Sequence, residues 1–199
     1  MTSALCNYRS RFVLIIALPS LPIFRQLLKH AQNGRIAILD YSVTPNGEAV
    51  YSYAQLLHDV AKFRDELVCF VGKNDLEGGR VSFLVESGYN YVVTLFTIWA
   101  LGGFAVPLCT SHPVHEMAYM ATDSDSCLLL ANAHFEPKIR ELSEGLSKDS
   151  DANRPLYIVP HHPPVATSNI LELLDSPIAD PMRKALMIYT SGTTGKPKV

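Results

Sequence analysis

The sequence predicts an α/β fold, a mostly parallel sheet flanked by helices, and three observations predict it. Strand-like apolar runs begin at residues 81, 104, 127, 156 and 185, spaced so that one crossover helix fits between each pair. Those runs are near-continuously apolar, as in strands covered on both faces, and do not alternate as in half-solvated strands. The stretches between them read as helices, the first stopped by Gly102-Gly103 and the second opened by Pro113. In sheets of this kind, ligands sit beyond the carboxyl ends of the strands.

In chain order, residues 22–33 read as a helix opened by Pro22, with Ile23, Leu27, Leu28 and Ala31 on one side and Gly34 as its stop. Residues 36–39 read as a strand, and Asn46-Gly47 is a hairpin-turn signal ahead of a second strand at 49–51. Ser52 then caps a helix, with Gln55 placed to complete a capping box. Leu56, Leu57, Val60, Phe63 and Leu67 recur on one face, so that helix lies on a core.

The regular part follows. A strand at 81–85 leads to a helix at 89–101, halted by Gly102-Gly103, and a strand at 104–108. Pro113 opens a helix to 122, before a strand at 127–131, a helix at 135–146 and a strand at 156–159. A short helix at 170–174 and a buried strand at 185–189 complete the pattern. Tyr89, Tyr91 and Trp99 fall within an apolar helix and read as core.

At 199 residues and 48% hydrophobic, the chain can bury a substantial core. A net charge of −2 gives no case for nucleic acid or an anionic membrane surface. No apolar run reaches the ~20 residues of a membrane span. Cys6, Cys69, Cys109 and Cys127 are far apart and read as buried thiols in a reducing compartment. Residues 1–39 hold five of the 17 basic residues and no Asp or Glu, leaving 12 basic against 19 acidic in the remainder. That segment reads equally as an organelle transit sequence and as an untargeted N-terminus, so 1–21 is set apart as an extension with a possible targeting role. His112, His115 and Glu116 lack the H-E-x-x-H order and read as a helix start with surface histidines. His161-His162-Pro163-Pro164 reads as an exposed loop, and Glu141, Glu144, Asp149 and Asp151 as a solvated acidic stretch.

The most informative stretch is the last. After the apolar run come Thr190, Ser191, Gly192, Thr193, Thr194, Gly195, Lys196, Pro197 and Lys198. Gly192 and Gly195 let the backbone turn and bring its N–H groups close to a ligand. The hydroxyls add donors and the two lysines add charge, a combination that suits a polyphosphate. It is not a Walker A loop, because Thr190 stands where that motif needs its first glycine and Pro197 where it needs Ser or Thr.

Position for position, Tyr189-Thr-Ser-Gly-Thr-Thr-Gly-Lys-Pro-Lys198 resembles the phosphate-loop signature of the adenylate-forming (AMP-binding) superfamily, which includes acyl-CoA synthetases, luciferases and nonribosomal adenylation domains. Tyr51-Ser-Tyr-Ala-Gln-Leu56 and Trp99-Ala-Leu-Gly-Gly-Phe-Ala-Val-Pro-Leu108 resemble two further elements in the same order, extending the likeness over about 22–199. Arg80-Val-Ser-Phe-Leu, Tyr91-Val-Val and Val106-Pro-Leu with His112-Pro113 are most similar to malonyl-CoA synthetases and other short- to medium-chain acyl-CoA synthetases. The resemblance implies residues 22–199 as an incomplete N-terminal subdomain of an ATP-dependent acid–CoA ligase using ATP, Mg²⁺, coenzyme A and a small carboxylic acid. It places nucleotide phosphates on Thr190 to Lys198 and assigns no catalytic or metal-binding residue within this chain. The family continues Lys-Pro-Lys-Gly-Val where Val199 follows Lys198 here, and its remaining site residues lie downstream. A chain truncated after the loop and inactive alone is therefore expected, with a non-catalytic nucleotide-binding remnant and a carrier-protein-loading module as alternatives. Localisation is expected to be mitochondrial or cytoplasmic, with peroxisomal left open because the family's C-terminus is absent.

Overall fold

The computed structural model describes residues 16–44, 47–149, 154–165, 171–175, 178, 180 and 182–190. In order these are β1 (Ile16–Pro19), α1 (Pro22–Gln32), β2 (Ile36–Thr44), β3 (Gly47–Ser52), α2 (Tyr53–Val71), β4 (Arg80–Leu84), α3 (Tyr89–Ala100), β5 (Phe104–Pro107), α4 (Val114–Asp123), β6 (Ser126–Asn132), α5 (Glu136–Asp149), β7 (Leu156–Val159) and β8 (Leu171–Leu174). A single 3₁₀ turn, Ala133–Phe135, joins β6 to α5.

Four strands form the main sheet in the order β5-β4-β6-β7, all parallel. Side-chain alternation divides its two faces. Val81, Phe83, Leu128 and Leu130 join the larger core, with Leu57, Val60 and Phe63 of α2 and Val93 and Ile98 of α3. Leu84, Leu129 and Ala131 face the other way, onto Met117 and Met120 of α4 and Ile139 and Leu142 of α5. The strand order reverses between β4 and β6, and this places the crossover helices on opposite faces. Beyond the carboxyl ends of β4, β6 and β7 lies a polar cavity of about 380 Å³, lined by Glu86, Asn90, Asn132, His134 and His161 among others.

Local chemistry accounts for the element ends. Pro22 starts α1 with a pre-set φ. The buried face of α1 is Phe24 and Leu27, whereas Ile23 is 38% exposed, so the helix is rotated from the side the sequence suggested. Gly72 ends α2 in the left-handed region (φ 71°), its N–H donating to Val68 O at 2.9 Å. Ser52 Oγ accepts from Gln55 N at 3.1 Å, as a cap should. The reciprocal half of the capping box does not form, because the Gln55 Oε1 that would accept from Ser52 N accepts from Val165 N at 3.3 Å instead. Ser52→Ala is expected to cost about 1 kcal/mol, read as a shift of the urea unfolding midpoint at unchanged slope.

β2 and β3 pair antiparallel, with Thr44 opposite Gly47. Asn46, the other half of the turn signal, lies outside the described residues.

Three expectations need correction. Residues 171–174 form β8, a strand parallel to β1 with Leu18 opposite Leu173, in place of a short helix. A five-residue stretch with four apolar residues fits either period, and here a partner more than a hundred residues away decides. Ile16–Pro19, grouped on sequence with the extension, is thereby paired into a sheet, and Leu18 is 1% exposed.

The second correction is that residues 185–189 form no full buried strand. Leu186 makes one parallel bridge to Ala105 at the outer edge of β5, and Leu186 and Ile188 are exposed. Third, Cys69, Cys109 and Cys127 are exposed rather than buried, with Cys69 near the end of α2, Cys109 in the loop after β5 and Cys127 at the start of β6. Among the described residues no helix is long and apolar enough to cross a membrane.

Candidate nucleotide-phosphate site

The chain enters the glycine–threonine loop through residues 182–190, and this root is braced by the main chain of β5 and by side chains from α3, α4 and the loop between α2 and β4. Ala105 N donates to Ala185 O at 3.0 Å, and Met187 N to Ala105 O at 2.9 Å, so the segment runs parallel to β5 and heads for the same sheet edge. The Ala185 carbonyl also accepts from Trp99 Nε1 at 2.8 Å, which uses both of its lone pairs. Trp99 stacks on Phe96 with ring centroids 5.2 Å apart, so the indole donor is held in place by packing within α3.

Two residues earlier, Arg183 grips Asp75 with both terminal guanidinium nitrogens, Nη1 donating to Oδ1 at 2.7 Å and Nη2 to Oδ2 at 2.9 Å. Two parallel hydrogen bonds fix orientation as well as distance. Burial pushes the Asp75 carboxyl up, but Arg183 and the Glu77 N–H outweigh it and hold the group below the usual carboxylate range. Arg183 is in turn held more firmly protonated by Asp75. Gly102 fits against this pair with φ 68°, a conformation that leaves no room for a side chain. Beyond the bridge, Tyr189 Oη donates to Asp123 Oδ2 at the end of α4 at 2.7 Å. Burial and that carboxylate together raise the phenol's pKa.

Of the loop residues, Thr190 is described and exposed. Ser191, Gly192, Thr193, Thr194, Gly195, Lys196, Pro197 and Lys198 lie outside the described residues. Sequence reading singled out the loop itself and missed its supports. Asp75, Asp123 and Arg183 carry no motif, and each is an ordinary surface charge until the fold brings its partner near. Trp99 had a signal, as the chain's one tryptophan beside a glycine pair, but read as core. It is half-buried with its N–H committed to the loop root.

His112 Nδ1 lies 3.4 Å from Glu116 Oε2, one helical turn away. Among the described residues, no three His, Cys, Asp or Glu side chains group as metal ligands. The acidic stretch has Glu141 and Glu144 exposed, whereas His162, expected in an exposed loop, is only 6% exposed.

Comparison with known proteins adds the family. The AMP-binding enzyme profile matches residues 25–199. The chain belongs to the AMP-binding enzyme family. A CoA ligase of Gibberella moniliformis is 35% identical over 182 residues, covering 88% of this chain and 28% of the relative. The human mitochondrial malonate–CoA ligase ACSF3 is 31% identical over 188 residues, covering 90% of this chain and 29% of the relative. Among solved structures, the o-succinylbenzoate coenzyme A synthetase of Bacillus subtilis, in complex with ATP and magnesium ion, superposes with a TM-score of 0.55 at 21% identity, over 86% of this chain and 41% of that one. This AMP-binding chain therefore spans less than a third of the length of those two curated relatives. Its α/β fold is that of the family's N-terminal region, as the sequence predicts.

Proposed function

We propose that this chain supplies the nucleotide-phosphate grip of an ATP-dependent acid–CoA ligase. In that reaction a carboxylate attacks the α-phosphorus of ATP, giving an acyl-adenylate and pyrophosphate, and the thiol of coenzyme A then displaces AMP to give the thioester. The observation that carries the reading is the Thr190–Lys198 sequence standing directly after a braced, sheet-edge root. Backbone N–H groups at Gly192 and Gly195, the threonine hydroxyls, Lys196 and Lys198 would hold the β- and γ-phosphates as the departing pyrophosphate gains charge. Mg²⁺ would share that charge. A fixed root matters because donors placed in advance need no reorganisation as the charge develops.

Malonate is the acid we favour, from the names of relatives such as the human ligase. The mitochondrial location of that relative, with the acid-free basic stretch at 1–39, supports mitochondrial import. Imaging a chain tagged at its C-terminus tests the import, and a cytosolic signal would reject it.

Because Trp99 is the single tryptophan and touches the root, its fluorescence should report binding. Titration with Mg²⁺–ATP is expected to shift that emission saturably, and calorimetry should give the same Kd. Lys196→Ala removes one charge-assisted phosphate contact worth about 1.5–3 kcal/mol. The expected loss is roughly tenfold to a hundredfold in affinity. No binding at millimolar ATP, or equal affinity in the variant, would reject the reading. Residues 1–199 alone, given ATP and malonate, are expected to release pyrophosphate only at background.

A further inference from the structure

The segment 160–165, which follows β7 without regular structure, is strapped across α2 and α3 by a buried polar cluster. His162 N donates to Asn90 Oδ1 at 3.3 Å, and Tyr51 Oη donates to the His162 carbonyl, also at 3.3 Å. Gln55 takes two further main-chain groups, donating to Pro163 O at 2.7 Å and accepting from Val165 N at 3.3 Å. Behind them Asp59 Oδ2 accepts from Tyr89 Oη at 2.8 Å and from Gln55 Nε2 at 3.4 Å. The Tyr51 and Tyr89 rings stack 3.5 Å apart and wall the cluster.

The imidazole of His162 sits inside this arrangement at 6% exposure, against the Phe63 ring. Its Nδ1 is 3.9 Å from Asp59 Oδ1, and its Nε2 is buried with no hydrogen-bond partner. A proton on this ring would find one attractive carboxylate, which Tyr89 and Gln55 already engage. It would also face Lys62 and His58 on α2 and His161 beside it, and would forfeit its water. Burial is the largest of these effects and lowers the imidazole pKa, with Asp59 opposing it and Lys62, His161 and His58 adding to it.

We propose that residues 160–165 are an acid-released strap, docked on α2 and α3 while His162 is neutral and freed when it protonates. The sign follows from linkage. The released imidazole titrates near its ordinary value of about 6.5, while the docked one resists the proton, so acid favours release. The docked state therefore has its full stability above that value and loses it as pH falls through it, until the docked ring also protonates. His161 of the strap and Asn90, which the strap touches, line the polar cavity at the strand ends, so release would open one wall of that cavity.

Hydrogen exchange on the 199-residue chain between pH 7.5 and 5.0, corrected for intrinsic rates, tests the strap. Protection of the His162 and Val165 amides, the strap amides bonded to Asn90 and Gln55, is expected to fall by up to about tenfold per pH unit below 6.5, while amides in the middle of α2 keep theirs. His162→Gln should flatten the profile. Should that variant not fold, the ring resonances of His162 in the wild-type protein decide, with a midpoint expected below that of an exposed histidine. A flat wild-type profile, an equal decline in His162→Gln, or a midpoint at or above 6.5 would each overturn the proposal.

Discussion

Gly102→Ala is expected to destabilise the protein by about 2–4 kcal/mol and to loosen the root of the glycine–threonine loop together with it. The first part is backbone strain, since a left-handed φ of 68° costs a residue with a β-carbon about 1–2 kcal/mol. The second is overlap, because the new methyl would land on Asp75 Oδ1 and within 2.7 Å of Arg183 Nη1. Overpacking of that kind costs about 1–3 kcal/mol, and the group that yields is the ion pair itself. A melting temperature lower by roughly 5–15 °C is the stability readout. The functional readout is Mg²⁺–ATP titration of the folded variant below its transition. Weaker binding than wild type is expected, because Arg183 stands two residues before the carbonyl that Trp99 and Ala105 hold. Gly102→Ala with unchanged melting would show that Asp75 and Arg183 do not form the bidentate pair described above.

Phe83→Ala is expected to cost more, about 3–5 kcal/mol. Phe83 is fully buried on β4, the strand between β5 and β6, and its ring lies 5.1 Å from that of Tyr91. A void there cannot collapse easily, because β4 is fixed by main-chain hydrogen bonds on both sides. Against a typical domain stability of about 5–15 kcal/mol, such a loss brings the chain near the unfolding threshold. Thermal melting should fall by roughly 6–20 °C. Met182→Ala is the matched control, since Met182 is 86% exposed and its truncation should stay within about 0.5 kcal/mol. A Phe83→Ala protein as stable as that control would contradict the central place of β4.

Much of the main sheet was legible because the signals that encode it are local. The stop at Gly102-Gly103, the cap at Ser52 and the apolar face from Leu56 to Leu67 each act within a few residues, and all three occur where the sequence places them. The short run at 170–174 was misread because its letters fit two periods. Its strand exists through hydrogen bonds to β1, a partner that composition does not announce. His162 was misread for a related reason. Prolines after a histidine pair describe a loop correctly, but whether a loop lies on water or on buried carboxylates depends on what packs beneath it.

What the sequence determined by itself is the alternation of strands and helices and the parallel sheet this implies, and it alone carries the proposal that the terminal loop holds phosphates. Apolar periodicity, glycine freedom and lysine charge are properties of neighbouring residues and need no fold to be read. Only the tertiary structure decided the edge position of residues 185–189, the Asp75–Arg183 and Trp99–Ala185 braces, and the buried seat of His162. Each of these joins groups separated by tens of residues, and such pairings become favourable only after the core has already paid the entropy of bringing them together.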